Sequence, residues 1–121
     1  MKKLLALTAA GEAALGLVLL VHPPVVVRLL FNAEIADIGM VIGRVAGIAL
    51  IALGMACWPS RGAAQALWGM LTYSILVTLY LAYLGIDGEL VGNLLWPAVV
   101  LHALLVFLLA CAWHKEQRAS D

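Results

Sequence analysis

Four long apolar stretches alternate with short polar or proline-containing segments along the chain. They cover roughly residues 4–21, 40–58, 66–84 and 94–113. Each stretch approaches the roughly 20 residues that a helix needs to cross the hydrocarbon core of a bilayer. Helices are expected because backbone polar groups within lipid must be hydrogen-bonded inside the segment itself. The pattern predicts one all-α domain over residues 1–121, an integral-membrane, up-down bundle of four transmembrane helices.

The segments between the spans carry residues that end helices. Pro23 and Pro24 follow the first span, Pro59 follows the second, and Gly85 to Gly88 follow the third. Proline has no N–H to donate and disfavours helix in the residue before it. A further proline, Pro97, falls in the first turn of the fourth span, where a missing donor costs little.

The first connection, residues 22–39, is longer than two antiparallel helices need. It is also too apolar for a solvated loop, with Val25, Val26, Val27, Leu29, Leu30, Phe31, Ile35 and Ile38. We expect a short interfacial helix here, lying on the membrane surface with its polar residues on the wetter side. An irregular lid packed over the bundle is the alternative.

Composition narrows the class of protein. Of the 121 residues, 65% are hydrophobic and 12% are charged, whereas soluble domains average about 45–50% and about 25%. These values exclude a soluble enzyme and a disordered chain. The formal net charge is zero, so there is no basic field to attract nucleic acid. The lipid bilayer is therefore the first expected partner, and no nucleic acid is expected.

The distribution of charge predicts an orientation. Five basic residues fall on the side that holds both termini: Lys2, Lys3, Arg61, Lys115 and Arg118. The other side carries Glu34, Asp37, Asp87 and Glu89, with Arg28 as its one clear loop cation. By the positive-inside rule we expect a bacterial inner (plasma) membrane protein with both termini in the cytoplasm. Trp58, Trp68 and Trp113 then mark the inner interface, and Trp96, Tyr80 and Tyr83 mark the outer one.

Polar residues at membrane depth are the candidates for function, because ionisable groups are costly in hydrocarbon. Glu12 and His102 lie at nearly the same level, about 12–13 Å from the outer ends of their spans at 1.5 Å per residue. Arg44 lies about 6 Å deep by the same rise. We expect Glu12, Arg44 and His102 to form one intramembrane cluster together with Tyr73 and Tyr80. The alternatives are a structural Glu12–Arg44 clamp between helices and a His102 that serves packing alone.

Small residues predict which helices pack closely. Gly39, Gly43 and Gly47 recur at every fourth position of the second span and line one helix face. The first span carries a similar face, made by Ala9, Ala13 and Gly16. Such faces allow two backbones to approach, which would bring Glu12 towards Arg44. Homodimerisation is the other use of a glycine face.

The remaining motifs indicate neither catalysis nor a metal. His22, His102 and His114 lie at three different depths, which does not suit paired haem ligands. Cys57 and Cys111 map to the same end and are interpreted as small packing residues. Neither a nucleophile–base motif nor a glycine-rich phosphate loop is present in the sequence. No catalytic residue, metal ligand or cofactor is predicted, and a bound lipid or quinone is left open.

The stretch from Pro24 to Gly54 resembles small four-helix bacterial membrane proteins of the DoxX-like superfamily. It has the proline-led apolar segment ending in Leu29-Leu30-Phe31, followed by Arg44, Gly47 and an apolar run rich in leucine. The resemblance covers about a quarter of the chain. It implies the four-helix plan and a structural or site role for Arg44 and Gly47. The family takes its name from a subunit of a quinone-reducing thiosulfate oxidoreductase, so a quinone-linked redox subunit is one expectation.

A second comparison is with the small multidrug transporters, which also have four short helices and a glutamate midway along the first. That likeness ends at Glu12. The leading hypothesis is a non-enzymatic accessory subunit or binding module of a membrane assembly, with a homo-oligomer or another membrane protein as partner. The alternative is a proton-coupled small-molecule transporter or channel that acts as an oligomer, with Glu12 and His102 carrying protons.

Overall fold

The computed structural model describes residues 1–60 and 62–121, which form five helices. These are α1 (Lys2–Val21), α2 (Pro23–Phe31), α3 (Ile38–Ala56), α4 (Ala63–Asp87) and α5 (Leu95–Ser120). Within the described residues, α1, α3, α4 and α5 are long and apolar enough to cross a membrane. The protein is an all-α, multi-pass membrane protein, and the predicted bundle with a short helix between its first two spans is confirmed. The end of the bundle that holds the N-terminus of α1 and the C-terminus of α5 is called the terminal end. The opposite end, which holds α2, is called the α2 end.

The two prolines both end α1 and start α2. His22 breaks the helix with φ −143°, and Pro23 and Pro24 occupy the first two positions of α2, where their missing N–H groups cost nothing. Asn32 ends α2 in the left-handed conformation, and its N–H donates to the carbonyl of Arg28 at 3.0 Å. The helical part of the first connection is therefore shorter than the apolar segment that predicted it.

Two of the spans are longer than expected. α4 continues through Gly85 and ends at Asp87, because Gly88 adopts φ 82° and its N–H donates to the carbonyl of Leu84 at 3.1 Å. Glycine reaches that left-handed conformation without strain. α5 runs past the apolar stretch as far as Ser120, since its polar tail contains neither proline nor glycine. α3, by contrast, ends at Ala56, two residues before the predicted boundary.

α1 and α3 pack backbone against backbone. A Cβ atom added to Gly16 would lie 2.6 Å from the carbonyl oxygen of Gly47, and one added to Gly47 would lie 2.6 Å from that of Gly16. The other two predicted packing glycines meet different neighbours. Gly43 lies against Pro23 of α2, and Gly39 lies against Ile35. A second close approach of α1 and α3 lies nearer the terminal end, where a Cβ atom added to Gly54 would lie 2.6 Å from the carbonyl oxygen of Ala9.

α4 and α5 form the second helix pair, and apolar side chains close the two ends of the bundle. The cluster at the terminal end joins residues from all four spans or their ends: Leu5, Ala9, Cys57, Ala66, Leu67, Met70 and Leu109. Trp68 and Trp113 contact each other edge to face at this end, with ring centroids 5.4 Å apart. A smaller cluster at the α2 end contains Leu81, Leu95 and Val99.

Helix α2 bridges the two helix pairs at the α2 end. It contacts α1, α3 and α5. Two main-chain hydrogen bonds attach it to the connection between α4 and α5: the N–H of Gly92 donates to Leu30 at 2.8 Å, and the N–H of Leu94 donates to Leu29 at 2.9 Å. Its Arg28 faces away from the bundle and lies 3.5 Å from Glu34. α2 thus links the α4–α5 pair to the α1–α3 pair at this end of the bundle.

Four of the basic residues that predicted the orientation, Lys2, Lys3, Lys115 and Arg118, lie at the terminal end of the bundle. Arg61 lies outside the described residues.

Candidate functional site

An apolar cavity of about 630 Å³ lies beneath α2, between the α1–α3 pair and the α4–α5 pair. All five helices contribute to its walls, and Tyr73 and His102 are its polar lining residues. Several lining side chains are also 40–54% exposed on the bundle surface: Val18, Val25, Leu29, Leu94 and Leu101. The cavity is therefore open at the apolar lateral surface of the bundle, which faces lipid in a membrane.

Glu12 lies beside the polar end of this cavity and is buried, with 6% of its surface exposed. The hydroxyl of Tyr73 donates to Oε2 of Glu12 at 3.0 Å. Nε2 of His102 lies 3.5 Å from the other carboxyl oxygen, Oε1. We call Glu12, Tyr73 and His102 the Glu12 cluster. It joins α1 to the α4–α5 pair beside the cavity.

The position of the hydrogen on His102 follows from its neighbours. Nδ1 lies 2.8 Å from the carbonyl oxygen of Ala98, one turn earlier in α5. A carbonyl oxygen can only accept, so Nδ1 carries the hydrogen and donates. Nε2 is left facing Glu12 at a separation too long for a normal hydrogen bond. Among the described residues, this buried nitrogen has no hydrogen-bond partner.

Two residues predicted to join the cluster do not reach it. Arg44 is exposed on α3, and within residues 1–60 and 62–121 it forms no ion pair with Glu12. Tyr80 is 62% exposed on α4. The close approach of α1 and α3 at Gly16 does not bring Glu12 to Arg44, because Glu12 points towards α4 and α5 and Arg44 lies on the exposed surface of α3. The Glu12–Arg44 contact expected from the sequence, whether as part of the cluster or as a structural clamp, is therefore wrong for the described residues.

Two further hydroxyl groups at membrane depth, those of Thr8 and Thr78, donate to carbonyls of their own helices. Thr8 donates to the carbonyl of Leu4 at 2.5 Å, and Thr78 donates to that of Ser74 at 2.7 Å. Ser74 is fully buried, and its Oγ has no hydrogen-bond partner in the described part of the chain. None of these three hydroxyls joins the Glu12 cluster.

All three members of the Glu12 cluster are among the residues predicted from the sequence, whereas the cavity is not. Its walls are mostly leucine and valine, residue types that also face lipid elsewhere in the bundle. Leu101 lines the cavity, whereas Leu104 in the next turn does not. The residue type carries no signal that separates the two positions.

Comparison with protein-family models, curated proteins and solved structures finds no match to this chain.

Proposed function

We propose that the protein is a binding module, embedded in the membrane, for an apolar small molecule that enters its cavity from the lipid. The observation that carries the proposal is the apolar cavity of about 630 Å³, whose polar lining residues are Tyr73 and His102 of the Glu12 cluster. Pockets for small molecules typically measure about 300–1,000 Å³ and combine apolar walls with a few fixed polar groups. The walls would bury the apolar body of the ligand.

The test is to identify what the protein retains. The wild-type protein is purified in mild detergent and then extracted, and the extract is analysed by mass spectrometry. Leu101→Trp places a large side chain at the cavity mouth, whereas Leu104→Trp makes the same change on the lipid-facing surface one turn away. We expect a stoichiometric small molecule in the wild type and in Leu104→Trp, and its loss from Leu101→Trp. Equal amounts of detergent and lipid in all three proteins, with nothing else retained, would contradict the proposal.

We further propose that the protein lies in the bacterial inner membrane with both termini in the cytoplasm. The cations at the terminal end and the acidic residues Asp87 and Glu89 near the other end support this orientation. Single cysteines at Ser120 and at Glu89, introduced after both native cysteines are replaced by alanine, provide the test. A membrane-impermeant maleimide applied to intact cells should label Glu89→Cys and spare Ser120→Cys. The opposite pattern would reverse the orientation.

We also propose that the module works within a larger membrane assembly, as an accessory subunit. The chain has little mass outside the lipid for chemistry of its own, and α3 is the least buried of its four spans. Kinship with the DoxX-like proteins, which rests on Pro24 to Gly54, belongs to this proposal. Native mass spectrometry should show a second protein bound at fixed stoichiometry. Recovery as a pure homo-oligomer that is active by itself would contradict an accessory role.

A further inference from the structure

The cavity offers a ligand almost no polar surface, although Tyr73 and His102 are among its lining residues. The hydroxyl of Tyr73 donates to Glu12 at 3.0 Å, and Nδ1 of His102 donates to Ala98 at 2.8 Å. Nε2 of His102 is enclosed by protein, and Glu12 is not one of the lining residues. Tyr73 and His102 therefore present mainly their ring carbons to the cavity.

Walls of this kind select for hydrocarbon. A polar group that entered the cavity would leave its hydrogen-bond partners at the membrane surface and would find almost no donor or acceptor in the walls, which is strongly unfavourable. A hydrocarbon chain loses no hydrogen bond in the same move, and it gives the walls van der Waals contacts. The part of a ligand that lies inside the cavity is therefore hydrocarbon.

The opening of the cavity lies at the level of the membrane interface. Leu29 of α2 and Leu94, just before α5, both line the cavity and are exposed. Along the spans, the exposed lining residues extend to Val18, three residues before the end of α1, and to Leu101, six residues after the start of α5. At 1.5 Å per residue the opening thus reaches about 9 Å from the α2 end. A lipid that inserts a chain here keeps its head group at the membrane surface.

The size of the cavity suits one chain. A methylene group occupies about the volume of a water molecule in the liquid, which is about 30 Å³. The cavity measures about 630 Å³. It therefore holds about 20 such groups, which is enough for one long acyl chain and too few for both chains of a phospholipid.

We infer that the cavity takes one acyl chain of a membrane phospholipid from the leaflet at the α2 end, while the head group and the second chain stay outside in the bilayer. The chain enters at the opening beside Leu101 and lies against α2 and the rings of Tyr73 and His102. This inference rests on the proposed binding function and adds the chemical class of the ligand.

The test compares two phospholipids that differ at the end of one acyl chain. Both carry a photoactivatable diazirine in that chain, and one also has a hydroxyl group on its last carbon. Each is cross-linked to the wild-type protein in lipid nanodiscs, and the labelled residues are mapped by mass spectrometry. Labelling of Leu81 and Val26, which line the cavity and are at most 8% exposed, reports a chain inside it. Labelling of Phe107, which is exposed and does not line the cavity, reports contact with surrounding lipid.

We expect the plain chain to label Leu81 and Val26. The hydroxyl-terminated chain should label them about tenfold less, relative to Phe107, which is equivalent to about 1.4 kcal/mol. Leu101→Trp should reduce labelling by the plain chain about tenfold at the two cavity positions, whereas Leu104→Trp should leave it unchanged. Because the two lipids are compared in the wild type, the inference stays testable if a variant fails to fold.

The outcomes separate the inference from the function beneath it. If the hydroxyl-terminated chain labels Leu81 and Val26 as strongly as the plain chain does, the inference is wrong and the binding function stands. We also expect the molecule retained on purification to be one phospholipid per protein, and a retained compound without acyl chains would overturn the inference alone. If neither lipid labels the two cavity positions while Phe107 is labelled, and no molecule is retained, the binding function itself fails.

Discussion

The two sides of helix α1 pack in opposite ways. Towards α3, Gly16 meets Gly47 with the two backbones in contact. Towards α4 and α5, Glu12 meets Tyr73 and His102 through long polar side chains, and a cavity lies beside them. Helices in lipid associate through close packing and hydrogen bonds, since apolar burial gives no advantage over lipid tails. Close packing joins α1 to α3, and polar side-chain contacts join α1 to α4 and α5.

This difference explains where a ligand site can exist. A backbone-to-backbone contact has no space to fill and no polar atom to offer. A contact made through side chains keeps the helices apart and leaves polar atoms at the edge of the gap. α2 and the apolar cluster at the terminal end lie at the two ends of that gap, and it opens at the lateral surface, where lining residues such as Leu101 are exposed.

The largest effect is expected at the glycine contact. Gly47→Ala adds a Cβ that would lie 2.6 Å from the carbonyl oxygen of Gly16, so the two helices must separate. We expect a loss of about 3 kcal/mol in the free energy of unfolding, at the upper end for overpacked sites. Steric trapping in bicelles measures it. Gly11→Ala is the matched control, since nothing lies within 4 Å of a Cβ there. Equal unfolding free energies of Gly47→Ala and Gly11→Ala would contradict the close backbone contact between α1 and α3.

The next effect separates the packed terminal end from the cavity. Leu109 is fully buried in the cluster at the terminal end, and Leu109→Ala should cost about 2 kcal/mol of unfolding free energy, the low end of the range for buried leucine. Leu101→Ala only enlarges a space that already exists, and it should cost less than about 1 kcal/mol. The same unfolding assay compares them. A larger loss for Leu101→Ala would mean that the cavity is filled by protein.

A double-mutant cycle measures the polar side of α1. Glu12→Ala removes the acceptor and Tyr73→Phe removes the donor of the hydrogen bond from the Tyr73 hydroxyl to Glu12. We expect a coupling energy of about 1 kcal/mol, within the range for interhelical hydrogen bonds in membranes. Strict additivity of the two changes would show that the bond does not hold α4 against α1.

The smallest effect concerns Arg44. Because its side chain is exposed on α3, we expect Arg44→Gln to combine additively with Glu12→Gln, with a coupling energy near zero. The measurement uses the same cycle and the same assay as the Tyr73 pair. A coupling as large as that of Tyr73 would restore the ion pair expected from sequence.

The residues that sequence reasoning placed correctly are those that a one-dimensional pattern determines. Hydropathy located the four spans, and Pro23 and Pro24 marked both the end of α1 and the position of α2. Depth along the helix axis put Glu12 and His102 at one level, and the structure brings them to 3.5 Å. Each of these conclusions needs only position along the chain.

The expectation for Arg44 failed because depth says nothing about direction around the helix axis. Glu12 and Arg44 lie at levels that a long side chain can bridge, but they point away from the contact that their helices make. The cavity was missed for a related reason. In a soluble protein an apolar residue indicates burial. In a membrane helix an apolar side chain suits both a cavity and the lipid surface, so leucine at positions 101 and 104 does not show which of the two lines the cavity.

The most direct test of the account is to observe His102 itself while the cavity fills. His22→Gln and His114→Gln leave His102 as the one imidazole, so that ¹⁵N NMR in nanodiscs reports its two nitrogens separately. The account predicts a protonated Nδ1, and His102 ring resonances that change in Leu101→Trp, where the new side chain fills the mouth of the cavity, but not in Leu104→Trp. His102 resonances that are the same in the parent protein and in both tryptophan variants would contradict it.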